Sequence, residues 1–81
     1  MSNSVVKIYS TPSCPYCNML KSYLRSKGIR FIDYDVSKDQ EKAMEMVRIS
    51  GQMGVPVAVI NGRVVIGFNK PLIDRLLGIS N

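Results

Sequence analysis

Apolar and polar positions recur along this chain with two different periods, and the period changes at glycines, prolines and one Asn-Gly pair. Residues 4–9, SVVKIY, are rich in β-branched and aromatic side chains and stop before Thr11 and Pro12, which predicts a first strand. From Pro15 to Lys27 the apolar residues Met19, Leu20, Tyr23 and Leu24 return at helical spacing, with Gly28 placed to cap the end. In RFIDYDV, 30–36, Phe31, Asp33 and Asp35 alternate with Ile32, Tyr34 and Val36, and a period of two predicts a strand with one wetter face. Ser37 followed three residues later by Gln40 matches a capping box, opening a helix that carries Ala43, Met44 and Val47 and stops near Gly51. VPVAVINGRVVIG reads as two apolar strands joined at Asn61-Gly62, a pair that readily takes the positive φ angles of a type I′ turn. A last helix over 71–77 turns Leu72, Ile73, Leu76 and Leu77 inward and ends at Gly78.

The resulting order is β-α-β-α-β-β-α. A right-handed βαβ unit gives parallel strands and the hairpin adds an antiparallel pair, so the expectation is an α/β fold with a mixed four-stranded sheet and helices on both faces. Both hairpin strands are apolar on both sides, which fits a sheet covered on each face. This is a thioredoxin-like architecture. Eighty-one residues leave room for one domain, 1–81, with no linker.

The composition narrows the function classes. A hydrophobic share of 46% argues against disorder. MSNSVVKIYS lacks the apolar run of a signal peptide, and VPVAVI is too short to span a bilayer, so a cytoplasmic protein with no membrane association is expected. The net charge of +5 is spread from Lys7 to Arg75. Lys21, Arg25, Lys27 and Arg30 fall mainly on one helix and read as a solvated face, without the interleaved aromatic platform of a nucleic-acid binder. No nucleic-acid partner is therefore expected, only a mild preference for anionic ones.

Both cysteines lie in STPSCPYCNMLKS, 10–22. Pro15 suits the first position inside a helix, which puts Cys14 at the N-cap and Cys17 one turn in. A thiolate on Cys14 then faces the free N–H groups of Tyr16 and Cys17 and the positive end of the helix dipole. The two thiols are suited to unequal roles: Cys14 attacks a disulfide, and Cys17 resolves the mixed disulfide by closing a Cys14–Cys17 bond. Two other readings stay open. A staple closing so short a loop gains little from loop entropy. A metal site needs about four ligands, and with two Cys and no His only two chains sharing a zinc or iron–sulfur centre would supply them, so no metal is expected for one chain. The lack of His also means that no imidazole takes the Cys17 proton; Lys21, a turn further on, is placed to bias that thiol but reads more simply as a solvated lysine.

Over almost its whole length the sequence resembles the glutaredoxin family, through VVKIYSTPSCPYC, GQMGVPV and VVIGFNKP, with CPYC the tetrapeptide of its dithiol members. The resemblance implies a thioredoxin fold, a redox-active Cys14–Cys17 pair supported by Pro15 and Tyr16, and glutathione as reductant of protein disulfides or glutathione mixed disulfides in a monomer. It also implies a cis peptide before Pro56, Tyr16 beside the substrate sulfur, Val55 backbone pairing with the cysteinyl part of glutathione, and Gln52 on the other wall. The chain departs from the family at Thr11, where Lys or Arg is common, at Gly54, where Thr is common, and at GFNKP, 67–71. There the N–H groups of Asn69 and Lys70 are the expected anion cradle, but Lys70 replaces an Asp. The Gly-Phe of that segment resembles the glutaredoxin-like redoxins that serve ribonucleotide reductase and draw electrons from a flavin disulfide reductase, thioredoxin reductase. Phe68 is then expected either to cap the pocket or to pack under the last helix.

Overall fold

Seven elements follow one another as β1 (Val6–Ser10), α1 (Pro15–Ser26), β2 (Ile32–Asp35), α2 (Gln40–Ser50), β3 (Val57–Ile60), β4 (Arg63–Ile66) and α3 (Lys70–Leu77), in a computed structural model that describes residues 4–79. The outermost residues of the expected 1–81 domain lie outside the described residues. The sheet order is β2-β1-β3-β4. Strand β1 runs parallel to β2 and antiparallel to β3, and β3 pairs antiparallel with β4. The order, the sheet and the thioredoxin-like fold are those the hydrophobic pattern predicts.

Strand parity divides the core in two. Val6 and Ile8 of β1, Ala58 and Ile60 of β3 and Val65 of β4 face Leu20 and Leu24 of α1 and Ile73 of α3. The alternate residues Tyr9 and Val57 face Met46 of α2, with Tyr34, Val36, Val55 and Val59 packed around them. Leu20, Leu24 and Ile73 are fully buried, and burying such a side chain contributes about 1.5–3 kcal/mol relative to exposure. Helices on both faces thus fix β1 from two sides, and the segment that carries Cys14 and Cys17 leaves β1 at its carboxyl end.

Three expectations need correction. The capping box at Ser37 does not form: Asp39 is the N-cap of α2, its carboxylate accepting the Lys42 N–H at 3.1 Å. Ser37 is diverted, its N–H and hydroxyl donating to Asp35 Oδ1 at 3.0 and 2.5 Å, so the helix begins at Gln40. The hairpin is not covered on both sides either. Val65 is buried, but Val64 and Ile66 are 38% and 52% exposed, because β4 is an edge strand. On that face the one helix, α2, buries a single residue, Met46, against the β1 and β3 residues. Strand β2 is also shorter than 30–36 at both ends.

The Asn-Gly turn forms as predicted, with φ of 51° at Asn61 and 85° at Gly62. Asn61 Oδ1 also accepts the Val5 N–H at 2.9 Å, tying the hairpin tip to the start of β1. A fourth correction concerns Lys21, which is part of the site described next.

Candidate active site

Pro15, with its fixed φ and missing N–H, opens α1, and Cys14 is the N-cap in an extended conformation. The backbone N–H of Cys17 donates to Cys14 Sγ at 3.1 Å. That bond sets the Cys14 sulfur at the N-terminal end of α1, where the helix dipole has its positive pole. The Cys14 thiol is partly exposed, while Cys17, one turn into the helix, is fully buried. Burial first, then the neighbouring Cys14 sulfur, push the Cys17 thiol up to about 11; the Thr11 backbone and the Lys21 charge pull it down. The pair is therefore asymmetric: one open sulfur at the helix N-terminus, one buried sulfur favoured as a thiol.

Two loops meet this helix end. The Val55–Pro56 peptide is cis, as the resemblance implies, and the Cys14 thiol points at the Val55 carbonyl, 3.9 Å away. Pro56 is buried, and its carbonyl accepts the Gly67 N–H at 2.9 Å, which ties the segment before α3 to the same corner. Tyr16, between the two cysteines in the chain, stands 63% exposed. The sequence motifs around Cys14, Val55 and Gly67 are thus drawn together from far apart in the chain.

The residues expected to line the glutathione pocket divide. Thr11 is partly exposed at the start of the active-site turn, and its carbonyl accepts the Cys14 N–H at 3.3 Å. Gln52 folds back on its own loop, donating to the Gly54 carbonyl at 2.9 Å. A Cβ at Gly54 would come within 3.3 Å of Gln52 Oε1, so a larger residue here would press on the end of the Gln52 side chain. Asn69 is the N-cap of α3 and its side chain accepts the Leu72 N–H at 3.3 Å. Phe68 packs against the α1 and α3 core, its ring 5.8 Å from that of Tyr23, which is the packing role rather than the capping one. Lys70 is turned along its own helix: Nζ lies 3.0 Å from Asp74 Oδ2 and 5.1 Å from the Tyr23 ring centre. The Tyr23 hydroxyl donates to the same Asp74 carboxylate. Tyr23 and Asp74 are the partners that sequence reading missed, since contacts across 51 residues leave no local signal.

Beneath the thiols lies a second cluster. Lys21 is not a solvated lysine: its side chain is 12% exposed, and Nζ donates to Asp33 Oδ2 at 3.0 Å and to Ser10 Oγ at 3.3 Å. Ser10, buried at the end of β1, donates to Asp33 Oδ1 at 2.6 Å. The signal for this cluster is the β2 parity, which sets Asp33 on the face that α1 covers. Among the described residues no group of three or more His, Cys, Asp or Glu side chains gathers to hold a metal.

A thioredoxin-like sheet whose first helix begins at a Cys-x-x-Cys pair, opposite a cis-proline loop, defines the class as a small redoxin. The glutaredoxin family model matches residues 6–65, and the chain belongs to the glutaredoxin family. It is 49% identical over 73 residues to a glutaredoxin-like 8.6 kDa protein in the rubredoxin operon of Clostridium pasteurianum, covering 90% of this chain and 97% of that one. Identity to glutaredoxin 3 of Escherichia coli K12 is 36% over 62 residues, 76% of this chain and 75% of the relative. Among solved structures, the glutaredoxin-like protein NrdH-redoxin of Escherichia coli superposes with a TM-score of 0.78 at 28% identity, covering 89% of this chain and 93% of that one.

Proposed function

We infer that this glutaredoxin-family chain is a dithiol thiol–disulfide oxidoreductase that reduces protein disulfides or glutathione mixed disulfides. Cys14 is the nucleophile and Cys17 the resolving thiol. The observation that carries this reading is the asymmetry of the pair: the open Cys14 sulfur accepts the Cys17 N–H at 3.1 Å, whereas the Cys17 thiol is fully buried. The Cys14 thiolate attacks a substrate disulfide, one partner leaves as a thiol, and Cys17 then displaces the second by bonding to Cys14 Sγ. Both protein sulfurs are oxidised and two substrate thiols result. The domain acts as a cytoplasmic monomer, since a lone dithiol needs a reducing compartment to recycle. Disulfide-reductase activity with a mixed-disulfide substrate is expected to vanish in Cys14→Ser. Cys17→Ser is expected to keep only what a single thiol can do. Full activity in Cys14→Ser would sink the reading.

The donor that re-reduces the pair has two readings. Glutathione is supported by family membership, by the exposed Tyr16 and by the Val55 carbonyl beside Cys14. A flavin disulfide reductase is supported by the pocket's missing charges. Thr11 offers no cation for a glutathione carboxylate, and no carboxylate stands at position 70. The redoxin from Escherichia coli that this fold resembles is described as having a thioredoxin-like activity profile. We take the reductase as the better-supported donor for this chain.

A further inference from the structure

The resolving step asks a buried thiol to become an anion, and the cluster beneath it holds a buried cation. Lys21 is four residues beyond Cys17 on α1, a spacing that puts the two side chains on one helix face about 5–6 Å apart at Cβ. Cys17 is fully buried and the Lys21 side chain nearly so. Lysine pays a large desolvation cost in such a place unless it is paired. Here it is held from two strands, by Asp33 of β2 at 3.0 Å and by the buried Ser10 of β1 at 3.3 Å. Ser10 immediately precedes Thr11, whose backbone bears on the Cys17 sulfur. The cluster therefore sits at the end of β1, where the active-site turn departs.

We propose that Lys21, anchored by Asp33 and Ser10, is a positioning residue for resolution, its ammonium group stabilising the Cys17 thiolate as that thiol loses its proton and attacks Cys14. The inference rests on the roles assigned to the two cysteines above. In the step, the Cys17 S–H proton passes to solvent. The Cys17 thiolate then bonds to Cys14 Sγ, the bond from Cys14 to the partner sulfur breaks, and the partner departs as a thiolate that takes up a proton from solvent. Protons and electrons balance without a further reactant. Lys21 contributes only its positive charge to the anion, from a side chain that is 12% exposed. The other titratable groups around Cys17 and Lys21 are Cys14 on α1 and Asp33 and Asp35 on β2, while β1 presents the neutral Ser10.

The coupling is tested apart from activity by following thiolate absorbance near 240 nm in Cys14→Ser protein, where Cys17 is the one remaining thiol. Lys21→Met is expected to move the Cys17 midpoint up by about one pH unit, and Lys21→Arg to return it. Resolution is tested in full-length protein with both cysteines, by forming the mixed disulfide and timing release of the partner. Lys21→Met is expected to slow release about tenfold at neutral pH and to shift its pH profile upward, with Lys21→Arg again restoring it. An unmoved Cys17 midpoint overturns the proposal even if activity falls. A moved midpoint with unchanged release overturns it as well, while leaving the assignment of Cys14 and Cys17 standing. Should Lys21→Met fail to fold, Lys21→Gln offers the same comparison.

Discussion

At the scale of single residues the pocket is defined by two departures from its family, and they have different physical characters. Lys70 looks in the sequence like a charge aimed at the γ-glutamyl end of glutathione. In the fold it belongs to α3, paired with Asp74 at 3.0 Å and resting on Tyr23. Its proton is held more tightly than in a free lysine, first by the hydrogen bond to Asp74. Replacing it with Asp would set two like charges four residues apart on α3, so Lys70→Asp mixes a change in the pocket with a change in the helix. Thr11 is the cleaner probe, because it lies partly exposed at the turn and meets Cys14 through its backbone carbonyl. Thr11→Lys restores the family's cation beside Cys14. An exposed ionic contact contributes about 0.5–1 kcal/mol, so turnover with glutathione is expected to rise roughly two- to fivefold relative to turnover with a flavin disulfide reductase and NADPH. The ratio matters, since a new cation near Cys14 also affects the sulfur itself. An unchanged ratio would show that glutathione does not place a carboxylate at this wall.

At the scale of elements, helix α2 shows how a correct local rule loses to its neighbours. Ser37 and Gln40 have the residue types of a capping box. Asp35, at the end of β2, captures both the N–H and the hydroxyl of Ser37. The chain therefore turns for two more residues before Asp39 takes the cap. Asp39→Ala is expected to lower stability to urea by about 1 kcal/mol, the usual loss of an N-cap, and Ser37→Ala by a few tenths; the reverse ranking would restore the capping-box reading. What was legible had a physical period or a special backbone angle: the alternation in β2, the apolar repeat of α1, the Asn61-Gly62 turn, and Pro15 setting Cys14 at a helix end. The alternation of β2 marked one wetter face, and only the register of Asp33 against Ile8 shows that this face lies on the α1 side. The rest depended on pairings between distant segments. Tyr23 with Asp74 and Phe68, or Lys21 with Asp33 and Ser10, join α1 to α3, β1 and β2, and the period of a single element carries no sign of such a pairing. The exposed faces of Val64 and Ile66 were hidden for the same reason, since an apolar strand looks alike at the centre and the edge of a sheet.

At the scale of the whole molecule, the protons that the fold holds or repels set its response to pH. Asp35, Glu45 and Asp74 are held below the usual carboxylate range, chiefly by the hydroxyls of Ser37, Tyr9 and Tyr23 respectively. Their contribution is present above the ordinary carboxylate values and is lost as pH falls through the folded ones. On the alkaline side the sign reverses. Burial raises Tyr9, with the Glu45 hydrogen bond adding to it. Burial also pushes Cys17 from the ordinary 9.0 to about 11. Each of these groups keeps its proton longer folded than unfolded, so the stability it lends is complete below its unfolded value and disappears as pH rises through the folded one. For Cys17 that window is about pH 9 to 11. Tyr9, Lys42 and Lys70 also weaken the fold in strong base, and a comparison that leaves them unchanged separates the sulfur from the rest. Reduced protein and reduced Cys17→Ala share all of these groups and differ in one proton. Their thermal midpoints are expected to run parallel from pH 6 to 8 and then converge from pH 9 to 11, as the wild-type protein alone loses what its buried thiol contributed. Parallel curves throughout would mean that burial of Cys17 is not linked to its proton. The asymmetry between an open Cys14 and a protonated Cys17, on which the proposed dithiol mechanism rests, would then lose its physical basis.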